Sequence, residues 1–273
     1  PLHIAASICA PAHDFPATIL SMEIRLLGAP RLHWQGQPWT LRRRQVRALF
    51  YQLAAEPTPT PRSHLALLFW PDKADAPARR HLTRLLSALR AALPDPDLLK
   101  VDEEAVALDL TRVTVDCHAF TAGCTTDDVT TLADALALYG GEFLDGFELP
   151  DAPEYAAWQA ATARRFAALH LALLEKLVER CTAAGDSAAA IEYARRYLAV
   201  DELAEPMHRR LIALYAAAGD RTAALRQLEQ CTLLLERELG VSPLPETSAA
   251  LRVNWRPPPK LEALATPTLD PPL

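Results

Sequence analysis

The tripeptide Ala184-Gly185-Asp186 recurs 34 residues later as Ala218-Gly219-Asp220, and Ala189-Ala190 recurs at the same spacing as Ala223-Ala224. A fixed period of this length belongs to chains that stack paired helices, each pair too small to bury its apolar face alone. Small Ala190 and Ala224 then mark close helix approaches, while Leu211 and Tyr215 occupy the large positions of the intervening helix. The proline that often closes such a unit is missing, with Glu202 and Glu236 at the corresponding places. Two copies make a short array, so helices at 129–139 and 155–169 are expected to pack on it as degenerate units. The period is tetratricopeptide-like.

Upstream the pattern differs. Residues 23–28 (EIRLLG) and 31–34 read as short strands, with Gly28, Pro30 and Gly36 as turn residues. From Leu41 a helical period sets in through Val46, Leu49, Phe50 and Leu53, and the run of prolines from Pro57 to Pro61 ends it. Ser63 is expected to cap a short second helix that Pro71 stops. A third helix spans 76–93, where Leu82, Leu85, Leu86, Leu89 and Leu93 form one stripe and Arg80, Thr83, Arg84, Ser87 and Ala91 face away. Two short strands joined by Asp102-Glu103-Glu104 follow as a hairpin. Strands, three helices and a hairpin, in that order, make a winged helix-turn-helix.

Charge separates the two halves. Residues 22–94 carry 12 lysines and arginines against 4 acids, whereas the whole chain is at −6. A basic unit joined to an acidic remainder suits a polyanionic partner for the first and a protein partner for the second. An arginine fork matches guanine O6 and N7 in the major groove, and serine or threonine suits a base edge or a phosphate. Arg80, Thr83, Arg84 and Ser87 are therefore the base-reading candidates. Arg79 and Arg90 lie toward the flanks of that face, where phosphate contact is expected. Arg42, Arg43 and Arg44 oppose the helix dipole at a helix start, a cost that a phosphate would offset. Arg62 and Ser63 are further phosphate candidates at the second helix's N-terminus. The acidic hairpin tip would repel phosphates and is not expected to enter a minor groove.

Other chemistries find little support. Cys117-His118 with Cys124 lacks a second ligand pair at zinc spacing, so no metal is expected. Asp127-Asp128 and Glu142 with Asp145 read as solvated charge. Neither a GxxxxGK phosphate loop nor HExxH nor GxSxG occurs, and the chain is expected to be no enzyme and to need no cofactor. The five scattered cysteines suit reduced thiols in a cytoplasm, with Cys181 and Cys231 as small core residues. No apolar run is long enough to span a bilayer.

Taken together, several segments resemble a known family. MEIRLLGAPRL (22–32), RRRQVRALFYQLA (42–54), LALLFWPD (65–72) and ARRHLTRLLSALRAAL (78–93) resemble the OmpR-type winged helix of SARP-type bacterial regulators. LADALALYGGEFLDGF (132–147), PEYAAWQ (153–159), 190–220 and 223–247 resemble the bacterial transcriptional activation domain of the same regulators. The resemblance covers roughly 22–250. It implies a transcription activator in which helix 76–93 is the recognition helix, promoter repeats are bound by two copies side by side, and RNA polymerase is engaged. Larger relatives continue into an ATPase and sensor repeats, at about the place where this chain enters a proline-rich tail.

The expected fold is mainly α with a small α+β domain: an N-terminal winged helix-turn-helix (22–112), then a tetratricopeptide-like helical domain (113–252). Residues 1–21 are expected to be a disordered or non-native extension and 253–273 a proline-rich linker. The expected function is sequence-specific regulation of transcription. Its partners would be double-stranded promoter DNA, RNA polymerase and a second copy on DNA repeats, without a membrane, in a bacterial cytoplasm and at the nucleoid. The alternative is a repeat-based adaptor or ligand sensor whose winged helix no longer binds DNA.

Overall fold

A computed structural model describes residues 22–253; the expectations for residues 1–21 and for the proline-rich tail fall outside that range. The chain is mainly helical with a small α+β part, a winged helix-turn-helix followed by tetratricopeptide-like helix pairs. Its contacts divide it into two compact units. Among the described residues, one takes the chain up to Ala119 together with Tyr139–Ala163, and the other takes Phe120–Leu138 and the residues from Arg164 to Val253.

In the first unit, β1 (Met22–Arg25), β2 (Arg31–Trp34) and β3 (Gln37–Trp39) form an antiparallel meander, and β7 (Val113–Val115) adds to β1 in parallel. The strand expected over 23–28 ends at Arg25. The reason lies at Asp116: its carboxylate accepts the N–H groups of Leu26 and Leu27 at 2.9 Å, so those groups leave the ladder. Three helices follow the meander, α1 (Arg44–Ala55), α2 (Arg62–Phe69) and α3 (Asp75–Ala92), and α3 packs on both of the others. A second sheet runs in the order β4 (Thr60–Pro61), β6 (Ala105–Leu108), β5 (Leu99–Val101), and β5–β6 is the expected hairpin. Ser63 does not cap α2. Pro61 holds the cap position, and the first helical N–H, of Arg62, is bound at 2.8 Å by the Glu104 carbonyl. A hairpin carbonyl does there what a side chain was expected to do.

A returning segment completes this unit. Gly28 N donates to the Glu142 carbonyl at 3.0 Å and Leu144 N to the Leu26 carbonyl at 2.8 Å, laying residues 140–144 along the end of β1. Glycine is required where these backbones meet, since a Cβ on Gly140 would stand 2.9 Å from the Leu27 carbonyl oxygen. The start of α6 (Pro153–Ala183) then closes the core. Tyr155, fully buried, donates its hydroxyl to the Ala48 carbonyl, and Trp158 donates to Glu56.

The second unit holds the end of α4 (Asp116–Gly123), α5 (Val129–Leu138), the later turns of α6, α7 (Ser187–Leu198), α8 (Glu205–Ala217), α9 (Arg221–Leu239) and α10 (Pro245–Val253). The helix expected over 155–169 runs on unbroken to Ala183, for 31 residues in all. No glycine or proline interrupts it, and Leu173, Leu174, Leu177, Val178 and Cys181 prolong its apolar stripe. The repeat is realised in detail. Gly185 and Gly219 take φ of 79° and 82°, and the Asp186 and Asp220 carboxylates accept the N–H groups of Ala189 and Ala223 at 3.0 and 2.9 Å. Ala190, Ala194 and Ala224 are fully buried in one cluster with Leu211, Ile212 and Tyr215, and Cys231 is fully buried as well. Burial pushes the Cys231 thiol up to about 11, as suits an inert core residue.

Candidate nucleic-acid interface

The leucine stripe orients α3. Leu82, Leu85, Leu86 and Leu89 are buried, as is Leu93 just beyond the helix, and α3 packs its apolar side against α1 and α2. The opposite side carries Arg79, Arg80, Thr83, Arg84, Ser87 and Arg90, every one exposed. Arg80 and Arg84 stand one turn apart and form neither a hydrogen bond nor an ion pair with any described residue. Two guanidinium forks thus stay open on a solvated helix face.

The rest of that face is already engaged. The Thr83 hydroxyl donates to the Arg79 carbonyl at 2.9 Å and accepts from Arg62 Nη2 at 3.2 Å. Ser87 donates to the Thr83 carbonyl at 3.0 Å, so only its lone pairs remain for a ligand. Arg79 pairs with Asp75 one turn earlier, both well exposed. Such an exposed i,i+4 pair is weak, of about 0.3–0.5 kcal/mol, and a phosphate could displace the aspartate.

Arg62 and Arg90 have another partner, the hairpin. Arg62 Nη1 donates to the Asp102 carbonyl at 3.2 Å, and Arg90 Nη2 donates to the Leu99 carbonyl at 3.1 Å. The middle of α3, through Thr83 and Arg62, and its C-terminal end, through Arg90, are therefore tied to β5–β6. Sequence spacing offers no signal for this, because the carbonyls come from a segment whose approach only folding determines. The hairpin turn itself is rigid. Asp102 Oδ1 accepts the N–H groups of Ala105 at 2.6 Å and Glu104 at 2.8 Å, which holds its carboxyl below the ordinary range, with the nearby Arg62 adding a smaller effect. Asp102, Glu103 and Glu104 are all exposed, so the tip presents negative charge.

A second group of open cations sits at the start of α1. Arg42, Arg43 and Arg44 are exposed and unpaired with any described residue, and Arg43 is the N-cap residue without a capping side-chain bond. Unbound helix N–H groups and guanidinium groups together favour an anion. Ser63 lies exposed in the first turn of α2. Asp116 was not anticipated as a structural residue. Burial pushes its carboxyl up, while the N–H groups of Leu27, Leu26 and Cys117 pull it down. An acid directly after the apolar strand Val113–Val115 was the available signal.

Residues 108–252 match the family model described as the bacterial transcriptional activator domain. No curated protein matches the chain. Among solved structures, Mycobacterium tuberculosis EmbR, determined in complex with a low-affinity phosphopeptide, is similar with a TM-score of 0.62 at 22% identity. The similarity covers 84% of this chain and 64% of that one, so the chain spans less than two thirds of EmbR's length. At that identity the likeness concerns the fold.

Proposed function

The chain belongs to the bacterial transcriptional activator domain family, and from that premise we propose that it is a SARP-type activator of transcription that binds promoter DNA through α3. The observation that carries the reading is the division of α3 itself: leucines buried, Arg80 and Arg84 exposed and unpaired. Each open fork can donate two hydrogen bonds to a guanine edge. Arg42, Arg43 and Arg44 supply sequence-independent attraction to phosphates. The acidic hairpin tip stays clear of the backbone, and its contribution is to hold α3 in place through Arg62 and Arg90.

In this reading residues 22–112 form the DNA-binding domain and residues 113–252 the activation domain, which meets RNA polymerase or a second copy of the chain on adjacent promoter repeats. Its net negative charge disfavours DNA and suits a protein partner. The work is done in the bacterial cytoplasm and at the nucleoid, and it is regulatory rather than catalytic. No helix among the described residues is long and apolar enough to cross a membrane.

Fluorescence anisotropy over a salt series tests the reading, using duplexes selected from genomic fragments and a random duplex as reference. Phosphate neutralisation makes log K fall linearly with log salt, by about 0.9 per contact. The selected duplex should bind more tightly than the random one at every salt concentration. Absence of binding even at low salt would instead favour the adaptor reading.

A further inference from the structure

Outside the α3 surface, β2, β3 and the middle of α1 enclose an open cleft of about 370 Å³. Its polar groups are unusual in kind. Arg31, His33 and Arg47 all line it, and none of its lining residues is acidic. Two of the buried side-chain atoms that lack any hydrogen-bond partner among the described residues belong to this cleft, His33 Nδ1 and Arg47 Nε. The Arg47 guanidinium lies 5.6 Å over the Phe147 ring, half-buried, with no carboxylate among the described residues to balance it. A guanidinium N–H withdrawn from water without an acceptor is unfavourable, and an incoming oxyanion would remove that cost. Apart from Thr40 the remaining lining residues are apolar or aromatic, Leu32, Trp39 and Tyr51 among them.

We propose that this cleft binds a small organic oxyanion, a carboxylate or a phosphate monoester with an apolar body. The Arg31 and Arg47 guanidinium groups donate to the anionic group, His33 adds a third nitrogen, and the body packs against Trp39. The volume falls in the range of small-molecule sites, roughly 300–1,000 Å³. Cation-rich walls exclude cations, and apolar walls favour an anion with a body over a bare ion. Because its lining comes from β2, β3 and α1 with the turns beside them, ligand binding can be read without DNA.

The test follows the Trp39 indole N–H and the His33 ring by heteronuclear NMR of the full chain. Benzoate and phenyl phosphate are titrated separately at constant ionic strength set with sodium chloride. Saturable shifts at both residues are expected, and the tighter of the two probes identifies the carboxylate or the phosphate as the recognised group. Loss of a charged donor in Arg31→Gln should weaken binding about tenfold or more. Arg47→Lys, which keeps the charge and removes the Nε donor, should weaken it too. Arg31 is exposed, so its variant stays interpretable if a change at half-buried Arg47 disturbs folding. Shifts no larger than those from chloride alone would overturn the proposal, as would equal saturation in Arg31→Gln. Saturation by a short DNA duplex but by neither small anion would also overturn it, and would make the cleft a backbone contact.

Discussion

Arg62 Nη2 donates to the Thr83 hydroxyl at 3.2 Å while Nη1 of the same guanidinium donates to the Asp102 carbonyl. One side chain at the start of α2 thereby joins the exposed face of α3 to the hairpin turn. Arg62 is then a positioning residue, and its loss should act differently from the loss of a phosphate contact. Arg62→Ala should weaken binding to the selected duplex while leaving the salt slope unchanged, and amide exchange at Glu104 and Ala105 should accelerate. Removing Arg42 should instead lower the slope by about 1. A drop in slope for Arg62→Ala would return it to the phosphate contacts.

Arg84 is open on the same face and is expected to read a base. Arg84→Ala should cost about 1–3 kcal/mol on the selected duplex and little on a random one. Anisotropy on both duplexes checks this. Equal weakening on the two would assign Arg84 to the backbone.

Gly140 meets the Leu27 carbonyl so closely that a Cβ would stand at 2.9 Å from it. Gly140→Ala must push the returning segment off the end of β1, at a cost of about 1–3 kcal/mol. A urea titration of the variant would measure it. An unchanged midpoint would mean that the segment shifts freely.

The two repeat caps offer a second stability test. Asp186→Ala and Asp220→Ala each remove an acceptor for a helix N–H and should cost about 1 kcal/mol. Asn at either position keeps the acceptor and should be close to neutral. Parity of Ala and Asn in urea midpoints would show that the carboxylates do not cap in solution.

Asp116 sets a pH dependence. Burial outweighs its three N–H partners, so the folded chain holds the Asp116 proton more tightly than the unfolded one. Its contribution to stability is therefore greatest below the ordinary aspartate value. That contribution declines as pH rises from there through the raised one. The difference in urea stability between wild type and Asp116→Asn should carry this slope. Direct NMR titration of the Asp116 carboxyl should find a midpoint above the ordinary range, and one below it would contradict the assignment of burial as the dominant cause.

Much of the architecture could be read before any coordinates. The leucines of 82–93 act within a few residues of themselves, through helix periodicity, and the echo of 184–186 at 218–220 marked the repeat. The open forks of Arg80 and Arg84 could be placed on a face in the same way. What stayed hidden involved remote partners. β3 and β7 are three residues each, too short for alternation to show. The partners of Arg62 and Arg90 are backbone carbonyls, which carry no residue identity to detect.

Periodicity along the chain was enough to place the core of most helices, the apolar side of α3 and the length of the repeat. Folding alone settled which arginines remain open and which are tied to a hairpin, and why Gly140 and Asp116 are needed. The reason is reach. A helix face follows from neighbours three and four positions away. The partner of a long guanidinium or a buried carboxylate depends on which distant backbone the packed core brings within hydrogen-bonding distance.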